Sequence, residues 1–448
     1  MATHERFRFR SIDELRAKID DLGVSIRLEQ DLSPLVQPVA IGPLQTPNSL
    51  GIHPMEGCDG KADGSPDALT IRRYERFAAG GAGLLWFEAT AVVPQGRANP
   101  RQLWIHRENV GEFATLVKRV EQIGRERFGP NHQSVRILQL THSGRYSRPV
   151  DLPAPVIAFR HPVLDPRAGL AADYPTITDD ELERLEDRYV EAAKLAREAG
   201  FHGVDIKATH GYLVAELLAG HTRPGRYGGS LENRTRFLLN VVEKVRATVP
   251  DLLVAVRLWA CDGMQYPFSW GMSREVPGRE DMAEPIRLVK LLHQKGVSLL
   301  NSTAGNPYYN AHVARPFDQN IRGAPMEPDE HPLEGIDRLF RTARAIQQAV
   351  PEMVVVNTGY SWLRQFFPYA AAANLQHGWA RIAGLGRMAF AYPDFARDLL
   401  DRGSLDPKRV CTACSKCTQL MRDKTVTGCV TRDAAVYLPI YTGHHRHR

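Results

Sequence analysis

HGVDIKATHGYLVAELLAGHTRPGRYGGSLENRTRFLLNVVEKVRATVPDLLVAVRL, residues 202–258, holds two short apolar runs separated by an amphipathic one. HGVDIK (202–207) is brief and interleaved with β-branched residues, which suits a strand. The stretch 232–248 repeats apolar residues every three to four positions and follows Ser230, a residue type that caps helices. A second strand pattern follows at 253–258. Strand, helix and strand in this order make a βαβ unit, whose two strands lie parallel.

The same alternation extends outward in both directions. Strand patterns fall at 83–88 (GLLWFE), 135–140 (VRILQL), 297–301 (VSLLN), 353–357 (MVVVN) and 380–384 (ARIAG), with a weaker one at 50–55 (LGIHPM). Helical patterns occupy 179–199, 281–295 and 334–349. Eight strands alternating with helices predict an α/β fold, and the count favours a closed TIM (β/α)8 barrel over an open sheet. The stretches 260–280 and 303–333 are long and carry Pro, Trp, Tyr and Gly; in a barrel they lie over the catalytic face. Residues 1–31 read as an N-terminal helical extension, 32–402 as the barrel, and 403–448 as a Cys-rich segment and tail. Residues 1–40 are expected to add a helix and a short hairpin that plug the opposite mouth.

The 448 residues are 43% apolar and 24% charged, a composition suited to a soluble globular chain. A net charge of +6 and a pI near 9.0 mildly favour anionic ligands. Arginines and the six tryptophans are scattered, which argues against a nucleic-acid groove or stacking platform. No apolar run reaches the roughly 18 residues of a membrane span, and the N-terminus has no apolar signal core, so a cytoplasmic location is expected. The terminal HHRHR (444–448) reads as a basic tail.

Alternate residues of a strand share a face, so Asp205 and Lys207 point the same way. If they face the barrel lumen, Lys207 lies at the catalytic end of its strand, with His210 and Tyr212 in the loop beyond. Lys207 could simply neutralise Asp205 or Glu56. The three together also suit a developing oxyanion: lysine and histidine donate to it, and a tyrosine of pKa about 10 delivers a proton. A strand-end lysine can instead form a Schiff base, which would make the chain an aldolase-like lyase with a structural zinc.

Cys411, Cys414, Cys417 and Cys429 follow the pattern C-x2-C-x2-C-x11-C. Thiolates so spaced wrap one zinc ion or one iron–sulfur cluster. Cys261 reads as packing, and His142 as satisfying a backbone group. No GxGxxG or Walker pattern appears where a second nucleotide domain would need one.

HGYLVAELL followed by RYGGSLENRTRF resembles the signature of the Old Yellow Enzyme family of FMN-dependent oxidoreductases. HPM (53–55), FEATAVVPQGR (87–97), QLTHSGR (139–145), VRL (256–258), NTG (357–359) and GLGR (384–387) follow in the family's order, so the resemblance covers roughly residues 32 to 432. It implies that Pro54 and Met55 line the isoalloxazine through their backbone, that Ala89 and Gln139 contact the ring, and that Arg257 stands near N1 and C2=O. Gly359, Gly386 and Arg387 would hold the phosphate, a usual barrel arrangement. Tyr212 matches the proton donor and His210 one of two ligands for the substrate oxygen.

The chain departs from the family at two positions in this site. Lys207 stands where relatives carry histidine or tyrosine, and a fixed ammonium favours an enolate or carboxylate oxygen. Glu56 follows HPM where relatives carry a small or thiol residue; a carboxylate there disfavours the reduced flavin anion unless Lys207 pairs with it. Cys58 would lie close to the flavin. The cysteine spacing resembles the family's iron–sulfur subgroup, which includes trimethylamine dehydrogenase, 2,4-dienoyl-CoA reductase and 2-enoate reductase, and implies a 4Fe-4S cluster just past the barrel. The expectation is an FMN and 4Fe-4S oxidoreductase that reduces an activated C=C bond, by hydride from flavin N5 and a proton from Tyr212. Run in reverse, the same site would dehydrogenate an amine or alcohol. NAD(P)H or a separate electron-transfer protein would be its partner, and homo-oligomers are expected.

Overall fold

A strand buried on both faces needs a nearly unbroken apolar run. The computed structural model describes residues 4–324 and 328–445, and such runs form its centre. A short antiparallel hairpin, β1 (Val39–Ile41) and β2 (Leu44–Thr46), comes first. The runs that follow are β3 (Leu50–Ile52), β4 (Leu84–Ala91), β5 (Val135–Thr141) and β6 (Gly203–Ala208). They continue with β7 (Leu253–Trp259), β8 (Leu299–Thr303), β9 (Val354–Asn357) and β10 (Ile382–Leu385). These eight close into a parallel barrel in the order β10-β3-β4-β5-β6-β7-β8-β9. Helices such as Val110–Phe128, Asp179–Glu198, Leu231–Thr248 and Pro332–Ala349 connect them. The fold is the TIM barrel that the alternation predicts.

Two boundaries differ from expectation. β3 stops at Ile52 and does not run to residue 55. The His53 N–H still donates to the Leu385 carbonyl at 3.0 Å, but Pro54 has no N–H with which to continue the ladder. Pro54, Met55 and Glu56 are therefore loop residues at the carboxyl mouth. The hairpin, expected within residues 1–40, lies at 39–46. Val39, Ile41 and Leu44 pack on Leu84, Val135, Leu253, Leu299 and Ile382, the first residues of their strands, so the hairpin fills the amino mouth.

The YGGSLENR block proves to be structural in this chain. The Ser230 hydroxyl accepts the Asn233 N–H at 3.2 Å and caps Leu231–Thr248. The buried Arg234 guanidinium donates to the carbonyls of Leu218 (2.7 Å) and Gly229 (3.0 Å) and to Glu284 (2.8 Å). A Cβ on Gly228 would stand 2.2 Å from the Arg223 carbonyl oxygen, so only glycine fits that turn. The block thus locks the segment after β6, which carries His210 and Tyr212, onto the next helix. No helix among the described residues is long and apolar enough to cross a membrane. The last three residues of the basic tail lie outside the described residues.

Candidate functional site

Residues at and beyond the strand ends converge on one cavity at the carboxyl mouth, of about 1160 Å³ with its opening included. It brings together Pro54, Met55, Glu56, Gln139, Lys207, His210, Tyr212, Arg257, Gly359, Gly386 and Arg387. Ala89 is the exception among the expected residues. It is buried outside this lining, and its carbonyl accepts from the Gln102 amide at 2.9 Å. β4 loses its regular register on β5 between Phe87 and Thr90, and such irregularities re-aim the residues they contain.

Asp205 organises the floor. Its buried carboxyl accepts from the Gln139 amide (2.5 Å), the Trp86 indole (2.9 Å) and the Arg257 backbone N–H (2.5 Å). Burial pushes its pKa up to about 6, against the pull of those donors. Gln139 is thereby fixed with its side chain against the cavity. The Arg257 guanidinium donates to the Pro54 carbonyl at 3.1 Å and so ties β7 to the loop after β3. Its Nε has no partner among the described residues, and burial brings its pKa down to about 10.

Lys207 takes Glu56, not Asp205, as its counter-ion. Its Nζ lies 2.9 Å from Glu56 Oε1 and 3.6 Å from the centre of the Tyr212 ring. The pair is secluded, with side chains 3% and 11% exposed. The Tyr212 hydroxyl donates to the same carboxylate, at 3.0 Å to Oε1 and 3.3 Å to Oε2, and lies 3.4 Å from the Tyr308 hydroxyl. Burial, and then the Glu56 charge, hold the Tyr212 phenol well above its usual pKa. Burial also drives His210 well below the usual imidazole value, helped by the cations of Arg257 and Lys207, so at neutral pH this ring is uncharged. His210 adopts the left-handed φ of +65°, which His tolerates better than most residues, and Gly211 follows at +72°.

The opposite end of the cavity is built from loops. Both η nitrogens of Arg315 are buried without a partner among the described residues. One η nitrogen of Arg387 donates to the Pro316 carbonyl at 2.6 Å, and the other has no such partner. Arg422 donates to the Pro307 carbonyl at 2.8 Å and lies 3.9 Å over the Tyr308 ring, itself stacked on Tyr146 at 3.6 Å. Gly359, at φ +106°, and Gly386 bring backbone to this end. The only carboxylate among the described lining residues is Glu56. An end with buried, unpaired guanidiniums and close-approaching backbone suits a dianion such as the FMN phosphate. Arg315, Arg422 and Tyr308 carried no periodic or motif signal in the sequence.

Cys417 also lines the cavity, beside these arginines, and Cys411, Cys414 and Cys429 lie outside the lining. None of the four forms a disulfide. Cys411 Sγ accepts the Ala413 N–H (3.4 Å), Cys429 Sγ accepts the Arg432 N–H (3.3 Å), and Cys414 Sγ lies 3.5 Å from the Thr431 hydroxyl. Among the described residues, no three or more His, Cys, Asp or Glu are placed to hold a single metal ion. Cys58 is buried at φ +48° in the loop after Glu56, Cys261 sits in an apolar cluster, and His142 Nδ1 accepts the Gly144 N–H.

With this geometry in place, comparison with known proteins decides the family. The profile of the NADH:flavin oxidoreductase / NADH oxidase family matches residues 34–269, more than half of the chain. The chain belongs to that family. This family member is 32% identical over 249 residues to an NADPH dehydrogenase of Halalkalibacterium halodurans, covering 54% of the chain and 64% of the relative. It is 25% identical over 405 residues to a bilirubin reductase of Mediterraneibacter gnavus, covering 88% of the chain and 56% of the relative. The match thus spans less than two thirds of either relative's length. Among solved structures, a 2-naphthoyl-CoA reductase in complex with 2-naphthoyl-CoA superposes with a TM-score of 0.71 at 19% identity, covering 92% of this chain and 58% of that one. At that identity the likeness speaks for the fold.

Proposed function

We propose that the protein is an FMN-dependent oxidoreductase that reduces an activated C=C bond of enone or enoate type, drawing electrons from NAD(P)H or a separate electron-transfer protein. The observation that carries this reading is the polarity of one cavity, with proton-handling side chains at one end and unpaired guanidiniums at the other. FMN, when bound, supplies the hydride. Pro54 and Met55 would line its ring through their backbone, with Glu56 alongside, while Gln139 and Arg257 would grip the pyrimidine edge. Gly359, Gly386, Arg387 and Arg315 would hold the phosphate. Lys207 and His210 would orient the activating oxygen, and Tyr212 would protonate the adjacent carbon.

Cys411, Cys414, Cys417 and Cys429 would ligate a 4Fe-4S cluster, whose chemistry is single-electron transfer. Backbone N–H groups point at two of the sulfurs, as outer donors do around thiolate ligands.

A second reading, dehydrogenation of an amine or alcohol, is favoured by one feature: Glu56 places a carboxylate in the cavity that could accept a proton released by the substrate. The Schiff-base reading fares worse: burial lowers the Lys207 pKa, but Glu56 at 2.9 Å opposes that shift and occupies the ammonium. The test is anaerobic purification followed by an absorbance spectrum, with iron and sulfide assays. About one FMN and about four iron and four sulfide per chain are expected. The flavin should bleach with NADPH and recover on adding 2-cyclohexenone. Denatured protein that releases no flavin would overturn the proposal.

A further inference from the structure

The substrate-oxygen end of the cavity holds two side chains of opposite charge, Glu56 and Lys207. Glu56 Oε1 lies 2.9 Å from Lys207 Nζ and 3.0 Å from the Tyr212 hydroxyl, so one carboxylate occupies the donors of both. The ammonium is closed off further by the Tyr212 ring at 3.6 Å. His210 completes this end as an uncharged imidazole. The Glu56–Lys207 pair therefore sums to zero and its ammonium already has its counter-ion, while the nearby Arg257 guanidinium is tied to the Pro54 carbonyl and, under the same reading, to the flavin edge.

We infer that Glu56 is a specificity-determining residue that restricts the site to acceptors activated by a neutral carbonyl, such as a ketone, ester or thioester, and turns away free carboxylates. This rests on the ene-reductase reading and narrows it. The expectation from Lys207 alone was the opposite, since a bare ammonium attracts a carboxylate. With Glu56 in place, an incoming carboxylate meets a like charge in a secluded setting, where screening is weak. It must either break a buried ion pair or bind beside an uncompensated anion. A neutral carbonyl needs only a share of the hydrogen-bond donors of Lys207, His210 and Tyr212. The arginines at the far end offer no substitute anchor, because the same reading commits them to the phosphate.

The test uses the FMN-loaded full chain and two saturated ligands that differ only in charge and one methyl, 4-phenyl-2-butanone and 3-phenylpropanoate. Binding is read at equilibrium from the perturbation of the flavin spectrum, so it does not depend on turnover. Wild type is expected to bind the ketone at least tenfold tighter than the acid. Glu56→Gln frees Lys207 and should shift the ratio at least tenfold towards the acid. Glu56→Asp should restore the wild-type order. Lys207→Gln leaves the carboxylate alone and should shift the ratio the other way, which keeps the proposal exposed if Glu56→Gln loses its flavin. Ratios within twofold of wild type in both neutralising variants, or a wild type that prefers the acid, would overturn it. Failure of the parent reading looks different: photochemically reduced flavin would be reoxidised by neither 4-phenyl-3-buten-2-one nor trans-cinnamate, whatever the binding ratio.

Discussion

The two ends of the cavity handle buried charge in opposite ways. At the proton-handling end both carboxylates are matched: Glu56 holds Lys207 and Tyr212, and Asp205 holds Gln139, Trp86 and the Arg257 backbone. At the loop-built end Arg315 and Arg387 present buried η nitrogens with no partner among the described residues. An unpaired buried cation is costly enough that it marks a place where a ligand completes the structure. A compensated pair carries no such cost, and it selects among ligands by what it refuses. One end is built to be filled and the other to discriminate.

Four experiments would break or sharpen that contrast. Tyr212→Phe removes the phenolic proton and one hydrogen bond to Glu56 while keeping the ring beside Lys207. It should slow alkene-dependent reoxidation of the flavin by about 10²–10⁴-fold in stopped-flow traces, with flavin content unchanged. Arg315→Leu should weaken FMN binding by about 100-fold or more in fluorescence titrations, since each hydrogen bond to a charged group contributes about 1.5–3 kcal/mol. Riboflavin, which has no phosphate, should bind nearly as before; an equal loss for both would dissolve the distinction between the ends.

Asp205→Asn turns an amide N–H against existing donors and should cost about 1–3 kcal/mol in urea unfolding. The wild-type carboxyl also makes a pH signature. Its native pKa is about 6, above the ordinary value of about 3.9. Between those values the folded chain keeps a proton that the unfolded chain has released. This contribution is fully present below about pH 4 and is lost as pH rises through about 6, with a slope of up to about 1.4 kcal/mol per pH unit. The Asn variant should lack that slope. Ser230→Ala, at the helix cap, should cost about 1 kcal/mol and leave flavin binding and turnover untouched. A change in either would mean that the YGGSLENR block reaches the chemistry after all.

Legibility along the chain followed periodicity. Gln139, Lys207 and Arg257 were readable because each lies near the carboxyl end of a strand, and alternation puts Lys207 on the face of Asp205. His210 and Tyr212 followed from the same strand. The partner of Lys207 was not readable, because the sequence offers Asp205 and Glu56 equally. Asp205 lies deeper in the lumen and is saturated by three donors, which leaves Glu56. Ala89 falls outside the cavity lining, beside a break in strand register that has no sequence signature. Arg315 and Arg422 were missed because they belong to an irregular loop and to the Cys-rich segment, where no repeat points to a face. The most recognisable block, YGGSLENR, turned out to brace the site from outside it.

The sequence by itself determined the barrel and the set of side chains at its strand ends, because apolar periodicity is a local property that each segment carries alone. Which charges meet was decided only in three dimensions. Glu56 and Lys207 are separated by 151 positions in the chain. Barrel closure sets the loop after β3 across from β6, and the loop after β8 and the Cys-rich segment then bring Arg315 and Arg422 to Arg387. Pairing between charges depends on distance in space and on the water excluded between them, and neither quantity is written in the spacing of residues along a chain.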